Sequence, residues 1–213
     1  MTNSDKHLII TIGRQYGSGG REIGQHLSAA LSIPFYDKDI LRMNSQESGL
    51  KESYFYLADE KAGDRLLYRI INSLKPELTQ PSFGSDLVSS DNLFRFQSTV
   101  IRKLAAEESC ILIGRCADYV LEGTEGINLV RIFLYADLDY RIRRITRLGY
   151  YDSSDVVKNI KRMDKERRDY YRYYTGRSWE HPGNYDLTVN TGSLDIDDTV
   201  ALITHYLELK GYL

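Results

Sequence analysis

Between Gly13 and Gly24 the chain reads Gly-Arg-Gln-Tyr-Gly-Ser-Gly-Gly-Arg-Glu-Ile-Gly. Glycine tolerates positive φ and lets a ligand approach the backbone, so successive amides can converge on phosphate oxygens. A helix that follows adds the positive end of its dipole. Gly17, Ser18, Gly19, Gly20 and Arg21 are therefore the residues expected to cradle the phosphates of a nucleotide. The run differs from the standard P-loop: Gly20 stands at the lysine position and Arg21 at the Ser/Thr position. The spacing from Gly13 to Gly19 is also one residue longer. Arg21 is the substitute expected for the lysine, since its planar fork matches phosphate bidentately. Ser18 is left as the stand-in hydroxyl for Mg2+. The alternative for the same glycines is a tight strand-to-helix turn that holds no ligand.

A second concentration of chemistry lies further on. Half of the 18 arginines fall between Arg141 and Arg177. On a helix Arg141 and Arg144 share one face, Arg143 and Arg147 another; on the next, Asp164, Arg167, Arg168 and Tyr171 lie close together. Phosphoryl transfer asks the protein for positioning and charge stabilisation rather than covalent chemistry. Arg141, Arg144, Arg167 and Arg168 are candidates for closing over a transferred group. The competing reading is a set of solvated helix faces paired with Asp137, Asp139, Glu166 and Asp169. Tyr170, Tyr171, Tyr173 and Tyr174 either stack on a base or pack the helix, and no helix aims all four inward. Trp179 is open to the same two readings. His7, His26, His181 and His205 have neither metal-ligand nor triad spacing.

These residues need a scaffold. Leu8–Ile12 is apolar on both faces, as a central parallel strand must be, and Ile23, Leu27, Ala30 and Leu31 recur at helical spacing. Further buried strands are expected at Cys110–Ile113, Leu129–Tyr135 and Leu187–Asn190, with a weaker one at Ile33–Tyr36. Helices are expected over Ser98–Glu107, Asp137–Arg147 and Asp155–Tyr174. A last helix carries Ile196, Val200, Ile203 and Leu207. Alternating strands and helices imply an α/β fold with a mainly parallel sheet. Residues 39–97 read as a helical insertion, and Lys38 beside Asp37 is a further cation within reach of the loop.

Composition removes other classes. With 42% hydrophobic and 27% charged residues the chain is an ordinary globule rather than a disordered one. A net charge of −2 gives no global basic field for nucleic acid or an anionic membrane. Cys110 and Cys116 make neither a disulfide framework nor a zinc pattern. No signal-peptide core opens the chain and no apolar run approaches the ~20 residues of a membrane span. A cytoplasmic protein is expected.

Taken in order, ITIGRQYGSGGREIG, FYDKDIL, ILIGRCADYVL and the region Asp164–Trp179 resemble the cytidylate kinase-like family of P-loop nucleoside monophosphate kinases. The resemblance covers nearly the whole chain except residues 45–95. It implies a three-layer α/β/α P-loop NTPase fold on a five-stranded parallel sheet, with a helical acceptor-binding insertion and a lid. The core would comprise 1–38 and 98–213, the insertion about 39–97 and the lid about 148–180. It further implies transfer of the ATP γ-phosphoryl group, with Mg2+, to a nucleoside monophosphate such as CMP or dCMP. In cytidylate kinases the third strand ends in Gly-Arg-Asp, whose arginine contacts the monophosphate. Gly114-Arg115-Cys116 matches it with the arginine kept and the aspartate lost. Tyr36-Asp37 resembles the segment that opens the acceptor site. Small-molecule nucleotides are the expected partners, and neither nucleic acid nor membrane is. Two other readings stand beside this one. The first is a nucleotide-binding regulatory protein that has lost transfer; the second is single-stranded RNA binding through the arginine–tyrosine helix.

Overall fold

The computed structural model describes residues 6–37, 66, 67, 69, 70, 73, 90–151 and 154–213. Lys38 and most of the stretch 39–97 lie outside the described residues. Strand β1 (His7–Arg14) buries Ile9, Ile10 and Ile12 completely, because helices cover both faces of the sheet. It is followed by α1 (Gly20–Leu31), β2 (Phe35–Tyr36), α2 (Ser90–Glu107), β3 (Cys110–Ile113) and the short α3 (Ala117–Val120). Then come β4 (Ile127–Tyr135), α4 (Leu138–Leu148), α5 (Val156–Thr175), β5 (Leu187–Asn190) and α6 (Ile196–Leu209).

All strand pairs are parallel, in the order β2-β3-β1-β4-β5. β1 lies in the middle, with β3 and β2 to one side and β4 and β5 to the other, so the direction in which strands are added reverses there. Beyond the carboxyl ends of strands at such a switch point is where open α/β sheets bind ligands. The glycine loop leaves β1 at this place, where Gly13 is level with Phe133 and Arg14 with Leu134.

Alternation along the strands divides the core. Ile10, Ile12, Ile111 and Ile113 pack with Ile23 and Leu27 of α1 and with Ile203 and Leu207 of α6. Ile9, Cys110 and Leu112 face Val100, Ile101 and Leu104 of α2 and Val120 of α3. α4 and α5 lie against the glycine loop, where Ile145, Val156 and Ile160 enclose part of Tyr16. The close fit of α1 on β2 is set by Gly24, where a Cβ would come within 2.5 Å of the Phe35 ring. Arg131 on β4 and Asp186, just before β5, lock the sheet edge. Asp186 accepts from Arg131 Nε at 3.1 Å, Nη2 at 2.9 Å and the backbone N–H at 2.8 Å.

The five expected strands are present, β3 and β5 with the expected bounds and the other three with shifted ends. β1 runs on to Arg14 and β4 begins at Ile127, whereas β2 shrinks to Phe35–Tyr36. Pro34 has no N–H to donate and serves the sheet by accepting from the Ile111 amide at 2.8 Å. α2 starts at Ser90, inside the stretch read as insertion, because Phe94, Phe96 and Gln97 continue its packed face. No helix among the described residues is long and apolar enough to cross a membrane.

Candidate functional site

The glycine loop is fastened from three sides. β4 supplies the Leu134 carbonyl, which accepts from the Gln15 amide at 2.9 Å. Thr191, just after β5, donates its hydroxyl to the Ser18 carbonyl at 2.7 Å. From α5, Asp164 accepts from the Tyr16 amide at 2.7 Å and also pairs with Arg141 of α4. Gly17 and Gly19 take φ of +84°, and a Cβ on Gly17 would lie 3.1 Å from the Arg141 Cβ. Glycine is needed there for both backbone angle and room. The loop ends on α1, whose N-terminus provides a positive dipole end.

A cavity of about 260 Å³ begins at Gly13 and Arg14 and crosses the end of β3 beneath α5. Three arginines line it: Arg14 from the loop, Arg115 from the turn after β3 and Arg167 from α5. Arg167 donates to the Arg14 carbonyl at 2.8 Å and lies 5.5 Å over the Tyr16 ring. Burial pulls its pKa below the usual arginine value, against the pull of Asp164 and other groups. Arg115 stacks 5.5 Å over Tyr170, and no described carboxylate pairs with it. Its Nε is buried with no hydrogen-bond partner among the described residues. An orphaned buried donor costs on the order of 1–3 kcal/mol, which an anion in the cavity would offset. Gly114, Arg115 and Cys116 all have left-handed φ, at +76°, +56° and +55°. Two of these are non-glycine residues, a strain of the kind found at ligand clamps.

Aromatic rings close the far wall. Tyr170, Tyr171, Trp179 and Tyr185 line the cavity, and Trp179 meets Phe133 edge-on at 5.2 Å. Tyr171 donates its hydroxyl to Asp118 at 2.6 Å, and Tyr185 donates to the Trp179 carbonyl at 2.6 Å. Burial raises the pKa of Asp118, with the Tyr171 hydrogen bond acting against it. Cys116 also borders the cavity, and burial pushes its thiol up, away from the reactive thiolate.

The residues singled out from sequence fall into distinct places. Arg115 and Arg167 meet in the cavity. Arg141 pairs with Asp164, and Arg144 with Glu22, both arginines buried against the back of the loop. Arg168 stands further out, 3.3 Å from Glu180. Arg21 is 62% exposed and directs its Nε to buried Asp37 at 3.0 Å. Tyr36 is not brought to the cavity: its ring is in the core and its hydroxyl donates to Glu108 at 2.6 Å. Ser18 is buried and turns its hydroxyl onto the Gln15 carbonyl at 2.9 Å. Of the tyrosines on α5, Tyr171 is buried, Tyr174 stacks on Phe94 at 4.0 Å, and Tyr173 is 71% exposed. Sequence reasoning passed over Arg14 and Asp118. The longer loop was the signal for the first; the second lies one residue beyond Ala117, where α3 begins, and left no signal of its own.

Among the described residues no group of three His, Cys, Asp or Glu side chains is placed to hold a metal. Mg2+ in phosphoryl-transfer sites takes one or two protein oxygens and otherwise relies on substrate phosphates and water. Of the oxygens near the loop, the Ser18 hydroxyl is turned onto the Gln15 carbonyl and the Asp37 carboxylate is held by Arg21.

A parallel five-stranded sheet with a glycine loop at its switch point and arginines across the gap defines the P-loop kinase fold. The chain belongs to the cytidylate kinase-like family, whose model matches residues 9–193. It is 26% identical over 205 residues to a cytidylate kinase of Methanobrevibacter smithii, covering 95% of this chain and 99% of that one. An uncharacterized protein from Eubacterium ventriosum has a similar structure, with a TM-score of 0.68 at 24% identity. That match covers 95% of this chain and 99% of the other. Shikimate kinase from Bacteroides thetaiotaomicron shares the fold at a TM-score of 0.51 and 16% identity, covering 94% and 98%.

Proposed function

We propose that this protein transfers the γ-phosphoryl group of ATP to a nucleoside monophosphate, with CMP or dCMP the first acceptors to test. The observation that carries the reading is Arg115. Its buried, unpartnered Nε lies in a cavity that begins at the glycine loop and is walled by tyrosines. A guanidinium so placed suits an anion, and the rings beside it suit a base or sugar.

The backbone of Gly17, Ser18, Gly19, Gly20 and Arg21 cradles the donor phosphates, and Arg115 grips the acceptor phosphate, with Asp37 orienting the acceptor side. In the transfer, an acceptor phosphate oxygen forms a bond to the γ-phosphorus as the bond to the β–γ bridging oxygen breaks. ADP and a nucleoside diphosphate result, with no net change of electrons. Arg167 reaches the gap between the two phosphates from α5. Arg141 and Arg144 hold the loop in shape from behind through Asp164 and Glu22, and Arg168 guards the outer rim. Mg2+, when bound to the donor, supplies charge neutralisation and polarises the phosphoryl oxygens. α5 and the rings of Trp179 and Tyr185 keep water from the reacting group.

A screen of ribo- and deoxyribonucleoside monophosphates with ATP and Mg2+, read as nucleoside diphosphate formed, tests the proposal. Turnover with pyrimidine monophosphates above all others is expected. Tight ATP binding with no product from any acceptor would favour a nucleotide-binding regulator instead.

A further inference from the structure

The loop from Gly13 to Gly19 is one residue longer than the standard P-loop, and it opens on Arg14. The Arg14 stem lies directly beside Gly20: a Cβ there would come within 2.8 Å of Arg14 Cβ and 2.9 Å of Cγ. The Cβ is fixed by the backbone and cannot swing aside, and the Cγ moves only with a change of χ1. The same side chain then reaches Gly114, where a Cβ would come within 2.3 Å of Nη1. Two glycines on different elements thus clear one path, and that path runs from the loop to the Gly114-Arg115-Cys116 turn.

We propose that Arg14 is the phosphate-binding cation that takes the place of the P-loop lysine. Its stem fills the space a side chain at Gly20 would need, and its guanidinium stands between donor and acceptor phosphates. The inference rests on the phosphoryl-transfer reading and gives it a residue. Gly20 is the position at which a P-loop carries its lysine, so the missing side chain and the intruding stem are one substitution seen from two sides. Arg14 lines the cavity together with Arg115 and Arg167. Its own carbonyl is held by Arg167 at 2.8 Å, which fixes the backbone from which the side chain departs. Arg21, next to Gly20 in sequence, leaves the loop in another direction, towards Asp37. A guanidinium offers donors on two edges, and so can contact two phosphates at once where an ammonium is a point charge.

The test couples positions 14 and 20. Arg14→Met keeps the stem and removes the charge. It should lower kcat/KM for ATP by about 100-fold, the scale of losing one preorganised donor. It should also weaken ADP binding by about tenfold in calorimetry, with an unchanged melting temperature. Arg21→Ala should cost less on both measures. Gly20→Ala should lower the melting temperature of the wild type but not of Arg14→Gly, where both the Cβ and the stem are gone. Gly20→Lys should recover ADP affinity in Arg14→Gly alone. Unchanged ADP binding in Arg14→Met, or equal effects of Gly20→Ala in both backgrounds, overturns the assignment. A wild type that binds ADP through Arg14 but phosphorylates nothing would sink the transferase reading and leave this one standing.

Discussion

Arg115 sits in a backbone region that a non-glycine residue enters at a cost of about 1–2 kcal/mol, and Cys116 follows it there. The turn aims the arginine back across the strand ends instead of outward. Replacing Arg115 with alanine should reduce kcat/KM for the acceptor by at least ~10-fold and leave ATP binding nearly intact, since the proposed function puts donor and acceptor on opposite sides of the gap. Equal losses for both substrates in steady-state kinetics would remove Arg115 from the acceptor side. Arg115→Gly, which relieves the left-handed strain, should melt higher than Arg115→Ala. The place of Arg115 was legible because it ends a buried apolar strand. The pairing of Arg141 and Arg144 was not: their carboxylates are 23 and 122 residues away, beyond any periodicity. Arg14 escaped notice because a cation inside a glycine loop reads as an ordinary solvated residue until its neighbours are known.

Among the elements, α5 does most to connect the site. Asp164 joins it to the loop and to α4, Tyr171 joins it to Asp118, and Tyr170 and Tyr174 pack on Phe94 of α2. It lies within the segment of about 148–180 that the family resemblance implies is a lid, and we propose that it closes on ligand. Hydrogen exchange over 154–180 should slow when a bisubstrate analogue binds, more than it does in the strands. In Asp164→Ala, exchange in α5 and around Tyr16 should quicken without ligand, and stability should drop by about 3–5 kcal/mol because Arg141 is left buried and unpaired. Protection confined to Gly13–Gly24 would end the lid assignment. The existence of α5 followed from Val156, Ile160 and Met163 at helical spacing. Its docking on α2 could not, because α2 begins in a polar stretch whose helical face emerges only when Phe94 has a partner. Strand ends shifted for a related reason, since β4 is lengthened by pairing with β1 rather than by its own apolar run.

At the scale of the molecule, the Arg131–Asp186 clamp makes stability sensitive to acid. Burial alone would raise the pKa of Asp186; the Arg131 side chain and amide outweigh it and leave the pKa below the usual carboxylate value. A depressed folded pKa contributes stability above the unfolded pKa and loses it as pH falls through the folded one. Wild-type stability in urea should therefore decline from about pH 5 downward, and Asp186→Asn should be less stable at neutral pH with a shallower acid decline. Parallel curves for the two proteins would refute the clamp's role. Asp118 has the opposite sign, since its raised pKa favours the protonated form as pH falls.

The sheet order has a consequence for how the chain is made. β1 finds its partners only at Cys110–Ile113 and Ile127–Leu134, roughly a hundred residues downstream. At a synthesis rate of about 5–20 residues per second, Leu8–Ile12 emerges several seconds before either partner exists. During that interval the strand that later anchors the glycine loop is an apolar, β-branched segment with its hydrogen bonds open. The nascent chain is therefore most exposed to misassociation at its centre rather than at its edges, and chaperone dependence should fall where β3 is brought closer in sequence.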